Sequence, residues 1–270
     1  MAKKSRFKRV IHSYPQFENE GLHLITVKSP ALKGRGDITI YMPDELPQDI
    51  PVVILMHGVG SSHWAWTHCA GVHRTAKKMI QEKKIQPMLL VMPSDGLWGD
   101  GSGYINHERK YEDWIMKDVV DVIKETYPCV SEKSQFFITG FSMGGYGALL
   151  LGSKYPTFFS GMSGLASITK FEQMKRFIEE ELVDFKAEKI QIPDLIDILT
   201  KNKAQLPPFR LDCPTECGLL PFNQLLHEEL LKENIPHSFE IHQGIHEWDF
   251  CEREIHHSLI LFNQLLNQSS

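Results

Sequence analysis

The sequence predicts an α/β fold, one mostly parallel sheet with helices on both faces. Three observations predict it. Strand-like apolar runs alternate with helix-periodic segments over nearly the whole length. Runs such as "VVILMHG" and "PMLLVMP" are continuously apolar, as strands buried on both faces require. The chain has 270 residues, 42% hydrophobic and 23% charged, enough for one large core.

In chain order, "LHLITVKSP" and "GDITIYMP" read as a strand pair with a turn around Gly34 and Gly36. "VVILMHG" is a buried strand, "HRTAKKMIQEKK" a helix and "PMLLVMP" the next strand. "YEDWIMKDVVDVIKETYP" places Trp114, Ile115, Val119, Val122 and Ile123 on one helical face, and Pro128 ends it. "FFITGFSMGGYGALLLGSKYP" is a strand handing over to a helix. "FFSGMSGLAS" and "FRLDC" are strand-like, "PFNQLLHEELLKEN" is helical and "HSFEIHQG" is a strand. An amphipathic helix closes the chain from about Trp248 to Leu266. Residues 169–205 break the rhythm and read as two charged helices without a buried strand. With no repeat, linker or second core, residues 1–270 form one domain with a cap-like insertion.

Composition narrows the function. A net charge of −5 without a basic stripe argues against nucleic acid. No apolar run is long enough to span a bilayer, and the basic start "MAKKSRFKRV" is not followed by the apolar stretch of a secretory signal. Five cysteines (Cys69, Cys129, Cys213, Cys217 and Cys251) without a framework fit reduced thiols in a cytoplasmic setting. Cys213 and Cys217 lie four apart, but Pro214 intervenes and no second ligand pair follows at zinc-like spacing, so no metal is expected.

The chemistry concentrates in Gly140-Phe141-Ser142-Met143-Gly144, a G-x-S-x-G run between a strand and a helix. A serine held on so tight a turn needs glycine neighbours, because side chains there would collide with backbone. The helix N-terminus favours negative charge developing beside Ser142. The bland reading is a glycine-rich turn with a serine cap. Two further segments weigh against it. "HQGIHEWDF" puts His246 just past a strand end, where a general base could reach Ser142. His242, within the strand, is expected to be structural, and His256 and His257 to sit on the last helix. "LMHGVGSSHWAW" can supply an oxyanion donor: Val59 N–H, paired with Met143 N–H, with Gly58 easing the turn and His57 orienting it.

Strand-His-Gly-x-Gly, "VMPSDG", "YEDWIMKDV", "GFSMGGYGAL", "LDCPTEC" and "GIHEW", in this order, resemble the putative esterase family of α/β-hydrolases. That family includes feruloyl and acetyl-xylan esterases, S-formylglutathione hydrolases, enterochelin esterases and mycolyltransferases. The similarity runs from about Ile38 to Leu266 and is weakest in the insertion. It implies an α/β-hydrolase fold and a serine carboxylesterase acting on a small or carbohydrate-linked ester through an acyl-enzyme, without cofactor. A thioesterase similar to S-formylglutathione hydrolase is the alternative, and a hydrolase-fold binding module with an impaired triad is another. The implied partner is a small-molecule ester, with no nucleic acid and no membrane; self-association is left open.

One position departs from the family pattern. Relatives commonly read Leu-Asp-x-Gly-Thr-Glu-Asp, the final Asp being the triad acid, whereas here the run ends Thr215-Glu216-Cys217. Glu216, one residue earlier and longer, is the expected acid. Asp212 is an alternative inside the strand, and a triad without its acid is a third. Cys217 as a second nucleophile is the weakest reading, since nothing nearby in sequence would lower its pKa. Trp64, Trp98 and Trp248, with Gly58, are expected to wall the substrate site, although each tryptophan could equally be core.

Overall fold

The computed structural model describes residues 5–185, 192 and 194–268. Its centre is a nine-stranded sheet of order β1-β2-β3-β5-β4-β6-β7-β8-β9. The strands are β1 (Val10–His12), β2 (Leu22–Ser29), β3 (Gly34–Tyr41), β4 (Val52–Met56), β5 (Leu89–Pro93), β6 (Phe136–Phe141), β7 (Phe159–Leu165), β8 (Phe209–Glu216) and β9 (Ser238–Ile245). The first three pair antiparallel, and β3 also meets β5 antiparallel. From β5 to β9 every pairing is parallel. Strands β4 and β5 are buried at every position, which is why they read as unbroken apolar runs. The turn between β2 and β3 falls at residues 30–33, with Lys33 at φ 49°. Gly34 and Gly36 therefore lie inside β3 and not in the turn expected of them; a side chain at 36 would strike the Trp114 ring at 2.5 Å.

The helices are α1 (Ala65–His68), α2 (Val72–Gln81), α3 (Tyr111–Asp113), α4 (Val120–Thr126), α5 (Met143–Lys154), α6 (Leu195–Lys201), α7 (Leu220–Lys232) and α8 (Trp248–Gln268). A π-helical stretch, Trp114–Val119, joins α3 to α4, so the expected single helix is one helical run with a wide turn in its middle. Strand alternation places α5 and α8 on opposite faces. Phe137 stacks on Phe262 of α8, with centroids 4.8 Å apart, and Ser163 joins Thr139 to Ser258 of α8 by hydrogen bonds of 2.6 and 2.8 Å. Gly140, of opposite parity to Phe137 and Thr139, abuts Gly144 of α5. A ring stack of this kind contributes about 1 kcal/mol beyond its buried area.

The segment between β7 and β8 differs from the two helices expected. Among the described residues of the segment, Phe171–Arg176 and Leu182–Phe185 are 3-10 helices and α6 is the one α-helix. Phe171, Met174 and Phe177 recur every third residue, the period that suits a 3-10 turn laid on an apolar surface. Residues 186–191 and 193, which belong to the predicted insertion, lie outside the described residues.

Candidate active site

Ser142 stands where β6 meets α5, at φ 57° and ψ −116°, a strained conformation for a residue with a side chain. Several bonds enforce it. Ser142 N–H donates to Leu165 O at 2.9 Å, and Ser142 O accepts from Tyr146 N–H at 3.1 Å and Ile168 N–H at 3.3 Å. The close approach also requires glycine on both sides. A Cβ on Gly140 would lie 2.1 Å from Gly144 O, and one on Gly144 would lie 2.1 Å from Met56 O. The strand-serine-helix turn is thus wedged between β4 and α5, with its hydroxyl at the carboxyl rim of the sheet.

His246 follows β9 directly. Its Nε2 lies 3.0 Å from Ser142 Oγ, although 104 residues separate the two in the chain. The imidazole is held between two phenylalanines. Phe141 tilts against it at 4.7 Å, and Phe177 of the inserted segment stacks on it at 5.5 Å and 18°. Neither ring was singled out in the sequence. Phe141 is the variable residue of the G-x-S motif and could have been, whereas Phe177 lies in a stretch with no motif to mark it.

The third partner differs from the one expected. His246 Nδ1 lies 3.1 Å from Cys217 Sγ. Glu216 is exposed, and its Oε1 accepts from Gln243 Nε2 at 3.3 Å. Alternation explains the miss: Glu216 ends β8 pointing outward, while the turn closed by Cys217 N–H to Pro214 O at 3.2 Å directs Cys217 toward the histidine. Asp212 is fully buried but committed elsewhere. Arg210 donates to it twice, at 2.6 and 2.7 Å, and His242 Nε2 lies 2.9 Å away. His242 is therefore a structural histidine, as expected.

Cys217 has a further neighbour, Cys213. Its hydrogen bond from Cys213, together with the one from His246, holds Cys217 below the usual thiol range despite burial. The same pairing with Cys217, and burial, push the Cys213 thiol up. The sequence expectation that nothing would depress this cysteine overlooked groups brought close by folding.

Opposite Ser142, the loop after β4 is braced by His57. The ring is buried; Nδ1–H donates to Gly58 O at 2.8 Å and Nε2 accepts from Asp95 N–H at 3.0 Å, which fixes the neutral tautomer. Burial lowers its pKa. Tyr104 hydroxyl donates to His57 O at 3.0 Å, and Gly60 N–H donates to Asp100 O at 2.7 Å. Met143 N–H begins α5, where the first N–H groups have no partner inside the helix.

A cleft of about 220 Å³ opens over the serine, lined by Gly58, Val59, Phe177, Glu247 and Trp248 besides Phe141, Ser142 and His246. Trp248 packs edge-on to Trp66 at 5.3 Å and leans on Phe141 at 5.0 Å, serving both core and wall. Trp64 and Trp98 are not among the lining residues. Trp64 is 45% exposed at the start of α1, and Trp98 packs against His107 and Phe185, each at 4.6 Å. Their aromatic character suggested a wall; their backbone directs them to other surfaces. Among the described residues one cluster could hold a metal, Glu240, His242 and His257, with ligand atoms within 4.8 Å of one another. Arg210 already stands 3.4 Å from Glu240, and neither Cys213 nor Cys217 belongs to that cluster.

A serine at a strand-helix turn, a histidine within reach of its hydroxyl and this sheet order define an ester hydrolase of the α/β-hydrolase fold. The chain belongs to the Putative esterase family, whose model matches residues 29–256. It is 23% identical over 253 residues to an acetyl esterase of Caldicellulosiruptor saccharolyticus, covering 87% of this chain and 88% of that protein. Among solved structures, S-formylglutathione hydrolase from Staphylococcus aureus superposes with a TM-score of 0.75 at 17% identity, over 94% of this chain and 99% of that one. A ferulic acid esterase from Anaeromyces mucronatus superposes with a TM-score of 0.66 at 16% identity, over 94% and 97%. At such identities these structures speak for the fold alone. No helix among the described residues is long and apolar enough to cross a membrane.

Proposed function

We propose that the protein is a serine carboxylesterase for esters with a small acyl group, working through an acyl-enzyme. The observation that carries this reading is the 3.0 Å approach of His246 Nε2 to Ser142 Oγ. His246 takes the hydroxyl proton as Oγ attacks the carbonyl carbon, then returns it to the departing alkoxide. Water repeats the cycle on the acyl-enzyme and releases the acid. Val59 N–H and Met143 N–H are the donors to the tetrahedral oxyanion: the first stands in the loop braced by His57, the second at the unpaired end of α5. Losing one such donor costs about 3 kcal/mol of transition-state stabilisation.

The small acyl group follows from size. About 220 Å³ lies below the roughly 300 Å³ at which drug-sized pockets begin, and Phe177 closes one side. The acetyl esterase relative supports the same scale. With the acyl group in the cleft, the alcohol would lie outside it, where a sugar would find room. The test is a p-nitrophenyl ester series of increasing acyl length on wild type and Ser142→Ala, with acyl thioesters run beside it. Acetate is expected to be turned over fastest, and Ser142→Ala to lose on the order of 10⁶ in kcat. Equal rates for the two proteins would refute Ser142 as nucleophile, and faster turnover of the thioesters would redirect the reading to a thioesterase.

A further inference from the structure

The serine and histidine match the family pattern, but the group behind the histidine is a sulfur. Three groups surround Cys217 Sγ: His246 Nδ1 at 3.1 Å, the Leu219 N–H, which donates at 3.3 Å, and the neighbouring Cys213 thiol. A serine esterase needs Nε2 of its histidine unprotonated and facing the hydroxyl, so the neutral ring must carry its proton on Nδ1. Nδ1–H then donates to Cys217, which must accept. A protonated Cys217 could also accept from Nδ1–H, with its S–H turned to Cys213, but a neutral sulfur would place no charge opposite the imidazolium, and an S–H directed at Nδ1 would force the opposite tautomer. A thiolate can only accept, so it both fixes the Nδ1–H tautomer and faces the imidazolium with a negative charge.

We propose that Cys217, as a thiolate, is the positioning residue of this site, filling the place of the triad carboxylate. It holds His246 in the Nδ1–H tautomer and faces the imidazolium that forms when Nε2 takes the serine proton. The sulfur gains and loses no electrons in the cycle: the proton moves from Ser142 Oγ to His246 Nε2 and on to the leaving alkoxide. This assignment rests on the serine-esterase reading above.

The surroundings suit a buried thiolate. Cys217 is 5% exposed, and the turn that carries it is pinned by Asn223, which donates to Leu219 O at 2.9 Å and Ser167 O at 2.8 Å. The charged or titratable groups around it are few. On β8 these are Cys213, the Arg210-paired Asp212 and the outward Glu216; beyond β9 they are His246 and Glu247. From the inserted segment comes Arg176, which lies over the Phe222 ring at 4.9 Å and approaches Gly218, the residue after Cys217. The hydrogen bonds from Cys213 and His246 lower the pKa of this thiol, in the direction the geometry demands.

Two measurements test the assignment, one with turnover and one without. In the first, kcat and KM for p-nitrophenyl acetate are compared among wild type, Cys217→Ala, Cys217→Ser and Cys217→Asp. Removal to alanine is expected to lower kcat by about 10³–10⁴ with KM little changed, as loss of a triad carboxylate does. Serine, isosteric but neutral, is expected to lose at least about a hundredfold, and aspartate to recover to within about tenfold of wild type. Wild-type kcat in the serine or alanine variant would overturn the proposal while leaving Ser142 in place as nucleophile. In the second, the ultraviolet thiolate absorbance, wild type minus Cys217→Ala, is titrated with pH. A midpoint well below about 8.5, the free thiol value, is expected, rising in Cys213→Ala. A midpoint at or above that value overturns the thiolate even if no ester in the series is hydrolysed, so failure of the esterase reading and failure of this one are separately visible.

Discussion

Replacing Gly144 by alanine tests whether the turn at Ser142 is held by close backbone packing. The added Cβ would lie 2.1 Å from Met56 O, 2.5 Å from Met56 C and 2.6 Å from His57 O, all main-chain atoms of β4 and the loop after it. A carbon meets a carbonyl oxygen comfortably at about 3.3 Å, so α5 and β4 would have to part by roughly 1 Å. Overpacking of this kind costs about 2 kcal/mol, or about 5 °C in Tm for a domain of this size. The kinetic effect should be larger in proportion. The parting separates Met143 N–H, on α5, from Val59 N–H, after β4, and about 1 Å of misplacement lowers turnover by about 10². Thermal unfolding and kcat for p-nitrophenyl acetate would be measured on Gly144→Ala and on Gly218→Ala as control. A Cβ on Gly218 meets only Arg176 Nη1 at 3.9 Å, although it lies beside the site. A Gly144→Ala protein with wild-type Tm and kcat would show that the turn has slack, and the argument from close approach would fall.

Two other outcomes follow from the same geometry. Glu216→Gln should keep full kcat, because Glu216 meets Gln243 and not His246, whereas Asp212→Asn should lower stability by about 3 kcal/mol by removing the buried bidentate partner of Arg210 and leaving it only the longer 3.4 Å contact with half-exposed Glu240. Denaturant titration beside the ester assay separates them, and a large kcat loss in Glu216→Gln would contradict the placement. Burial depresses His57, so below about 6.5 the unfolded chain takes up a proton that the native one refuses. Its contribution is whole above that value and is lost as pH falls toward the native pKa, at up to about 1.4 kcal/mol per pH unit. His57→Gln, which can still bridge Gly58 O and Asp95 N–H, should flatten the dependence of unfolding free energy on pH between 7 and 5; an unchanged slope would refute the role of His57.

Much of the fold was legible because local rules suffice for it. Continuous apolar runs became β4 and β5, and the glycine-flanked serine between strand and helix became the β6–α5 turn, since each depends on neighbours in the chain. His246 was also readable, because a histidine just past a strand end in this order has one rim to occupy. The inserted segment was misread: its apolar residues repeat every three positions, but a charged stretch of that length reads as α-helix until a surface is found for Phe171 and Phe177 to lie on.

What the sequence determined by itself, then, is the succession of the buried strands with the helices between them and the two segments that carry Ser142 and His246. The partner of His246 emerged only in three dimensions. Residue type favoured Glu216 as a carboxylate, but a strand alternates its faces and a single turn at Pro214–Cys217 sends the sulfur inward and the carboxylate out. The lowered pKa of that sulfur owes most to Cys213, four positions back, but the share from His246, like the Phe177 ring stacked on that histidine, comes from residues tens of positions away, and proximity of that kind exists only once the sheet has brought its strand ends together.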